Sequence, residues 1–279
     1  MKIVSTGRAL NSSEFYKKKR RRRKILSILT FILVLLFVTS VVVLLRLERF
    51  LVSEIVVEGA NEVSREDISE SVTESIGGNY LWLIPQSNFL LIPREEIRGS
   101  LLVNFPWLNS VDLRVEEKNK LIVHVNERIP FALYCSDTPP VEESLCYFLD
   151  QNGLIFANVP NDSRRVYFVY STREKFEEPI STQFVPEEEF IFLPAFIDSL
   201  SILGINPIAL EVSEYEYKLY MSGGGYVLWG RSTPLELVRA NLETFLFSDP
   251  IRSQRDFIER VLYLDLLTEN KVFYKFKED

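Results

Sequence analysis

The fold is decided by residues 105–132, which read FPWLNSVDLRVEEKNKLIVHVNERIPFA. Apolar residues occupy every second position of 111–115 and again of 121–125, on either side of the polar turn 117–120. Such alternation in two neighbouring runs predicts an antiparallel β-hairpin that buries one of its faces. The chain is therefore predicted to fold around β-sheet, with this hairpin near its middle.

Upstream of the hairpin, the sequence predicts one strand and two helices. Residues 55–59, Ile-Val-Val-Glu-Gly, are typical of a strand that ends at a glycine. Ser64 is a candidate N-cap for a helix with apolar residues at helical spacing up to Ile76. Pro93 suits the first position of a second helix, which is predicted to end near Val103. The predicted order is strand, helix, helix, strand, strand.

Beyond Pro130 the chain is predicted to be mainly β-strand. The turn Asp150-Gln151-Asn152-Gly153 joins two of the strands, and helices are predicted near 193–203 and over 235–246. The predicted strands span 131–135, 146–149, 154–156, 166–170, 208–212, 217–221, 226–229, 261–267 and 271–276. The acidic segment between the fourth and fifth of these strands is predicted to be an irregular surface excursion.

Residues 25–45 form an apolar stretch without a charge, a proline or a glycine. As a helix that rises about 1.5 Å per residue, this stretch reaches roughly 30 Å, the thickness of the hydrocarbon core of a bilayer. A cleaved signal peptide is the alternative, but its apolar core usually has only about 7–15 residues. The stretch is therefore predicted to be an uncleaved transmembrane helix.

The N-terminal flank of this helix is strongly basic. Residues 1–24 carry a net charge of +9, whereas the rest of the chain carries −16. The basic run just before the apolar stretch consists of Lys17, Lys18, Lys19, Arg20, Arg21, Arg22, Arg23 and Lys24. A nucleic-acid patch is one interpretation of such a run. Its juxtamembrane position favours a topology signal instead, with the N-terminus in the cytoplasm and the bulk of the chain exported.

The side chains that enzymes need are sparse. The single histidine, His124, lies in an alternating strand and cannot build a histidine-rich zinc site. A cysteine transpeptidase would need a recognisable context around a cysteine, which is missing here. Residues 223–225, Gly-Gly-Gly, lie between two predicted strands and indicate a hairpin turn rather than a phosphate loop. The run 187–189, Glu-Glu-Glu, is predicted to be a solvated face. The sequence predicts no catalysis, cofactor or metal.

The arrangement resembles the FtsQ/DivIB family of bacterial cell-division proteins. Residues 52–68, VSEIVVEGANEVSREDI, and the hairpin segment resemble the POTRA domain of that family. CYFLDQNGLIFA at 146–157, GGGYVLWG at 223–230 and RVLYLDL at 260–266 resemble its β domain. The resemblance implies an α+β chain with four parts: a basic cytoplasmic tail (1–24), a transmembrane helix (25–45), a β-α-α-β-β POTRA domain (50–128) and a mostly antiparallel β domain with flanking helices (129–279).

The resemblance also implies a function. Members of the family are non-enzymatic scaffolds of the divisome that bind FtsB/DivIC-like and FtsL-like single-pass proteins, and through them the FtsW/FtsI septal synthase. The expected location is the bacterial cell (inner) membrane at the division septum. One departure is Leu267-Thr268, where family members tend to have arginine and an aromatic residue. The alternative is a POTRA-bearing membrane protein that acts as a chaperone-like module for exported polypeptides.

Two further expectations concern particular residues. A terminal strand often forms a sheet edge, whose unpaired N–H and C=O groups can accept a partner strand. The predicted partner-binding residues are Tyr263, Asp265, Leu267, Lys271, Val272, Phe273, Tyr274 and Phe276. Core packing of these aromatic residues is the alternative. Cys135 and Cys146 flank a predicted hairpin in an oxidising compartment, so a disulfide is predicted, with two free thiols as the alternative.

Overall fold

A computed structural model describes residues 13–117, 119–140, 144–160, 167–254, 256–269 and 271–277. The chain forms two compact units. The first unit comprises the residues up to Glu58 together with Ser64–Gly99 and Asp112–His124. The second unit comprises Gly59–Val63, Ser100–Val111 and the chain from Val125 onward. The architecture is mixed α+β, as predicted.

The N-terminal part of the chain carries a long apolar helix and the predicted hairpin. Its elements are α1 (Ser13–Leu45), a 3-10 turn (Glu48–Phe50), β1 (Glu54–Glu58), α2 (Arg65–Ile76), β2 (Asn79–Tyr80), β3 (Ile84–Pro85), α3 (Arg94–Asn104), β4 (Leu108–Glu116) and β5 (Lys120–Glu127). Strands β2 and β3 form a short antiparallel hairpin between α2 and α3, where the sequence analysis predicts no strand.

Helix α1 is longer than the predicted span. It begins at Ser13 rather than Ile25 and therefore includes the basic run 17–24, whose side chains are exposed. Arginine and lysine are good helix formers, and nothing before Arg46 breaks the helix. Within the described residues, one helix, Lys17–Leu45, is long and apolar enough to cross a membrane.

The sheet beside the hairpin has the order β1-β5-β4. Strand β1 runs parallel to β5, with a register from Glu54 opposite Lys120 to Glu58 opposite His124. Helix α2 contacts β1 and buries its apolar stripe, whose last member is Ile76. The Ser64 hydroxyl accepts a hydrogen bond from the Asp67 N–H at 3.2 Å, so the predicted N-cap is present.

The rest of the chain builds one large sheet with helices. Its elements are β6 (Ala132–Cys135), β7 (Cys146–Leu149), β8 (Ile155–Asn158), β9 (Val169–Thr172), α4 (Glu187–Phe190), α5 (Leu193–Ser199), a 3-10 turn (Leu200–Leu203), β10 (Pro207–Val212), β11 (Glu216–Met221), β12 (Tyr226–Gly230), α6 (Leu235–Leu246), α7 (Asp249–Arg252), α8 (Phe257–Arg260), β13 (Val261–Asp265) and β14 (Phe273–Phe276). Of the strand predicted over 166–170, Val166 lies outside the described residues, and the strand itself runs later, to Thr172.

The order of the described strands in this sheet is β14-β13-β12-β11-β10-β9-β6-β7-β8. Neighbours are antiparallel except at β13/β12, β10/β9 and β9/β6, so the sheet is mostly antiparallel as predicted. The core centres on Trp229, whose ring contacts Phe196 of α5 and Tyr217 of β11 at centroid distances of 5.4 and 5.2 Å. The helices therefore cover one face of the sheet.

One surface prediction is wrong. Glu187 and Glu188 are exposed, but Glu189 is partly buried and paired. Its carboxylate accepts hydrogen bonds from Arg231 Nε and Nη2 at 2.8 and 2.7 Å and another from the Tyr217 hydroxyl. This two-pronged arginine contact ties α4 to the sheet.

Candidate partner-binding site

The last strand forms the end of the large sheet. Strand β14 pairs antiparallel with β13, with Tyr263 opposite Lys275 and Asp265 opposite Phe273, and no described strand lies on its other side. The predicted position at an edge is therefore present in the structure. The strand is shorter than predicted, since it begins at Phe273 and not at Lys271.

Residues that were predicted to end one strand and begin the next form a turn instead. The Lys271 N–H donates to the Thr268 carbonyl at 3.3 Å, and Asp265 Oδ1 accepts from the Leu267 N–H at 2.8 Å. Strand β13 accordingly ends at Asp265 and not at Leu267. Leu267 is about half exposed, at 47%. Asp265 thus orders the turn with one of its carboxylate oxygens.

The backbone of β14 faces β13 and the free edge in alternation. The Lys277 N–H donates to the Arg260 carbonyl at 3.0 Å, so Lys277 is directed towards β13. Successive residues of a strand direct their N–H and C=O groups to opposite sides. Lys275 and Phe273 therefore bond towards β13, and Tyr274 and Phe276 present their backbone groups at the free edge.

The aromatic side chains of β14 divide between core and surface. Tyr274 packs on Phe245 of α6 and Phe257 of α8, with ring centroids 5.6 and 5.5 Å apart. Phe276 packs on Phe257 at 5.6 Å. Phe273 lies on the opposite face and is 50% exposed. Core packing therefore accounts for part of the predicted aromatic surface: Phe276 is half-buried, whereas Tyr274 is still 41% exposed.

The face that carries Phe273 also carries a tyrosine row, which the sequence prediction missed. Tyr220, Tyr226 and Tyr263 lie on β11, β12 and β13, with successive centroids 6.3 and 5.9 Å apart. The Lys218 ammonium lies 4.8 and 4.4 Å from the centroids of the first two rings. The Tyr220 hydroxyl donates to Glu211 at 3.0 Å. The alternation of apolar and polar residues in β11 indicates that Lys218 and Tyr220 lie on its less buried face. The register that aligns the three tyrosines across neighbouring strands could not be predicted from the sequence.

The surroundings of Lys218 and Tyr220 shift the pKa values of both side chains. Burial opposes the charge of Lys218, but a hydrogen bond with Tyr220 and the nearby Glu211 carboxylate outweigh it and raise the pKa of the ammonium. Burial, helped by the negative charge of Glu211, raises the pKa of the Tyr220 hydroxyl. Lys218 is therefore charged and the tyrosine neutral at physiological pH.

Three lysines lie in β14 and next to it in the chain. Lys271 and Lys275 are exposed, and Val272 is half-buried against the core. The Lys277 ammonium donates to the carbonyls of Gly223 and Glu259, so it holds the end of β14 to the turn before β12. The candidate edge thus combines outward backbone groups, two exposed aromatic rings and exposed lysine side chains.

The other predicted residues lie away from this edge. Cys135 and Cys146 are directly opposite each other in β6 and β7, are buried and are joined by a disulfide. His124 is exposed, with Nδ1 3.9 Å from the Glu58 carboxylate. In the part of the chain that the structure describes, no cluster of three or more His, Cys, Asp or Glu side chains could hold a metal ion.

Comparison with known proteins identifies one domain. A family model described as POTRA domain, FtsQ-type, matches residues 50–128, the segment that contains β1 to β5. A search of curated proteins finds no significant match to the chain. The strand-helix-helix-strand-strand order predicted from the sequence is thus that of a POTRA domain of FtsQ type.

Proposed function

Because its FtsQ-type POTRA domain makes the chain a member of the FtsQ/DivIB family, we propose that it is a non-enzymatic scaffold of the bacterial divisome. In this proposal it binds FtsB/DivIC-like and FtsL-like single-pass proteins. Through them it helps to recruit the FtsW/FtsI synthase of septal peptidoglycan. Its helix α1 anchors it in the cell membrane at the septum, with the N-terminus in the cytoplasm.

The observation that carries the binding proposal is the free edge of β14. An added strand would pair with the outward N–H and C=O groups of Tyr274 and Phe276, which is the β-augmentation mode of recognition. Backbone pairing supplies affinity but little selectivity. Phe273 and Leu267, each about half exposed, supply apolar contacts beside the edge.

The distribution of charge also favours an extended partner segment at this edge. The chain after residue 24 carries a net charge of −16, so an acidic partner would be repelled by most of its surface. Lys271 and Lys275 are exposed basic residues in and just before β14. An extended partner segment with acidic residues is therefore expected to bind at this edge in preference to the acidic surfaces of the chain.

The binding site is tested by two substitutions at one position. Tyr274→Pro removes an outward N–H and the aromatic ring, whereas Tyr274→Ala removes only the ring. With the full chain and an FtsB/DivIC-like partner in nanodiscs, we expect the proline variant to bind at least about tenfold more weakly than the alanine variant, the equivalent of about 1.4 kcal/mol. Equal affinities of the two variants would place the binding site elsewhere.

Two further variants complete this test. Phe273→Pro should disrupt the ladder with β13 and lower stability, because the Phe273 N–H faces inward. Lys275→Ala should weaken binding only slightly, since an exposed ion pair contributes about 0–1 kcal/mol. Thermal denaturation of each variant separates lost folding from lost binding.

Depletion in the native cell tests the function itself. A fluorescent fusion should localise at midcell, and depletion should block septation and produce filaments. Normal septation after depletion, with a fusion spread evenly over the membrane, would refute the divisome proposal. Accumulation of misfolded exported proteins in such cells would instead favour the chaperone-like alternative.

A further inference from the structure

The β2–β3 hairpin exposes apolar side chains at its tip. The turn runs from Tyr80 to Leu83, and the Leu83 N–H donates to the Tyr80 carbonyl at 3.0 Å. Leu81 is 89% exposed and Trp82 is 91% exposed. Leu83 and the nearby Leu90 are also exposed, at 52% and 62%. We call Leu81, Trp82, Leu83 and Leu90 the apolar tip.

The backbone of the turn is unfavourable for these residue types. Leu81 and Trp82 have φ angles of +48° and +61°, the left-handed region that both central residues of a type I′ turn require. Asn-Gly is the pair that such a turn favours. Among the described residues, Leu81 and Trp82 are about nine-tenths exposed and gain almost no packing, so the local structure gives no reason for these residue types. Backbone strain of this kind is often found at functional sites.

The hairpin is attached to the end of the membrane helix. Arg46 Nε donates to the Leu83 carbonyl at 2.8 Å, and the buried Asn88 donates through Nδ2 to the Leu45 carbonyl at 2.8 Å. Phe50 and Phe89 stack at 5.9 Å just beyond. Leu45 is the last residue of α1 and the end of the uncharged stretch, so these bonds place the apolar tip at the level where the helix leaves the hydrocarbon.

We infer that Leu81 and Trp82 insert into the interfacial region of the bilayer that α1 spans. Tryptophan is enriched at membrane interfaces, where its apolar ring and its polar N–H are both satisfied. Exposed leucine and tryptophan side chains lose unfavourable contact with water when they enter that region. The membrane is favoured over a protein partner as the occupant, because Arg46 and Leu45 bond the hairpin region to the end of α1, where Val43 and Leu44 are exposed.

Insertion gives the first unit a second point of attachment to the bilayer. A single helix followed by a turn leaves a domain free to tilt about the end of the helix. With Leu81 and Trp82 in the interface, this unit is held in one orientation to the membrane plane. In this inference, the bilayer supplies the apolar contacts that the exposed side chains of the β2–β3 hairpin lack within the first unit.

Quenching of Trp82 fluorescence by lipid tests this inference. The full chain is reconstituted in phosphatidylcholine and phosphatidylglycerol vesicles that contain lipids brominated either near the headgroup end or deep in the acyl chain. No partner is added, so the result does not depend on the proposed function. We expect shallow bromine to quench more strongly than deep bromine, and W82F to lose the quenched component. W107F, a matched change in the second unit, should keep it.

A second variant separates insertion from folding. L81N/W82G supplies the favoured type I′ pair and removes both apolar side chains, so the hairpin should be at least as stable. A nitroxide label at Leu90, attached through an introduced cysteine, should then become more accessible to a water-soluble relaxation agent than in the parent chain. Unquenched, water-like emission from Trp82 would overturn the inference. So would Trp82 quenching that appears only when a partner protein is added, because the apolar tip would then be a protein-docking surface.

Discussion

Replacement of Arg128 by leucine should strongly destabilise the second unit, because Arg128 and Asp150 form the least exposed ion pair among the described residues. Arg128 follows β5, and Asp150 begins the turn between β7 and β8. The Arg128 guanidinium donates to the Asp150 carboxylate, and the two side chains are only 16% and 7% exposed. Arg128 Nε also donates to the Pro106 carbonyl at 3.1 Å. The other oxygen of Asp150 accepts from the N–H groups of Asn152 and Leu154 at 2.9 and 3.0 Å.

These contacts determine how much free energy of unfolding each variant is expected to lose. Arg128→Leu leaves a buried carboxylate without its cation, a change that typically costs about 3–5 kcal/mol. Asp150→Asn keeps an oxygen for the turn but loses the charged bond, so about 1.5–3 kcal/mol is expected. The double variant removes both charges, so its loss should be smaller than the sum by about 2 kcal/mol. In a unit of this size, Arg128→Leu should lower the melting temperature by roughly 6–20 °C.

Tryptophan fluorescence offers a probe specific to this unit. Trp107 and Trp229 both belong to the second unit, and Trp107 lies against Phe156 at 5.0 Å. Urea denaturation of the full chain in a Trp82→Phe background therefore reports on that unit. Arg128→Lys is a matched control that keeps the charge but not the guanidinium geometry, and it should recover part of the loss. A free energy of unfolding for Arg128→Leu within about 0.5 kcal/mol of the parent chain would show that the pair behaves like an exposed one.

Three further outcomes are expected. Replacing both Cys135 and Cys146 with alanine should lower the free energy of unfolding by about 2–3 kcal/mol through loss of a short closed loop, and alkylation mass spectrometry of never-reduced protein should find no free thiol in the parent chain. Burial raises the pKa of Glu127, but hydrogen bonds from the backbone N–H groups of residues 61–63 outweigh burial and hold the pKa below its ordinary value of 4.5. The ionised Glu127 therefore stabilises the fold above pH 4.5, and this stabilisation is lost as the pH falls through the lower pKa of the folded state. Glu127→Gln should make the free energy of unfolding less dependent on pH in the acid range. Neutralising residues 20–24 should disturb membrane topology before it disturbs partner recruitment, and full export of a C-terminal reporter together with lost recruitment would point to a cytoplasmic partner instead.

The parts of the fold that local patterns determine could be predicted from the sequence. Alternation in 111–115 and 121–125 is enough for the hairpin, because each strand needs only its neighbour across a short turn. The neighbours of β6 in the large sheet could not be predicted in the same way. Strand β9 lies beside it in parallel, after a connection that includes two other strands.

Contacts between distant residues explain the errors. Three consecutive glutamates appear solvated, yet Glu189 pairs with Arg231, which is 42 residues away. The β2–β3 hairpin was not predicted because Leu81-Trp82 lacks the glycine or asparagine that normally marks such a turn. At the candidate edge, the two terminal strands could be predicted from composition. The split of their aromatic residues between core and surface could not, because it depends on α6 and α8.

If a partner binds at the edge of β14 as proposed, the short length of this strand gives helix α1 a role in the affinity. With Tyr274 and Phe276 directed outward, an added strand gains about four backbone hydrogen bonds, each worth only about 0.5–1.5 kcal/mol net. Association from solution costs at least about 4 kcal/mol of lost translational and rotational freedom, so the edge alone would hold a partner weakly. Two proteins anchored in one bilayer meet at a much higher effective concentration, which offsets part of that cost. The full chain should therefore capture an anchored partner far better than an exported fragment without α1 captures a soluble one, and an unrelated transmembrane helix in place of α1 should restore the difference. If the fragment binds as tightly as the anchored chain, contacts beyond the β14 edge must supply most of the affinity.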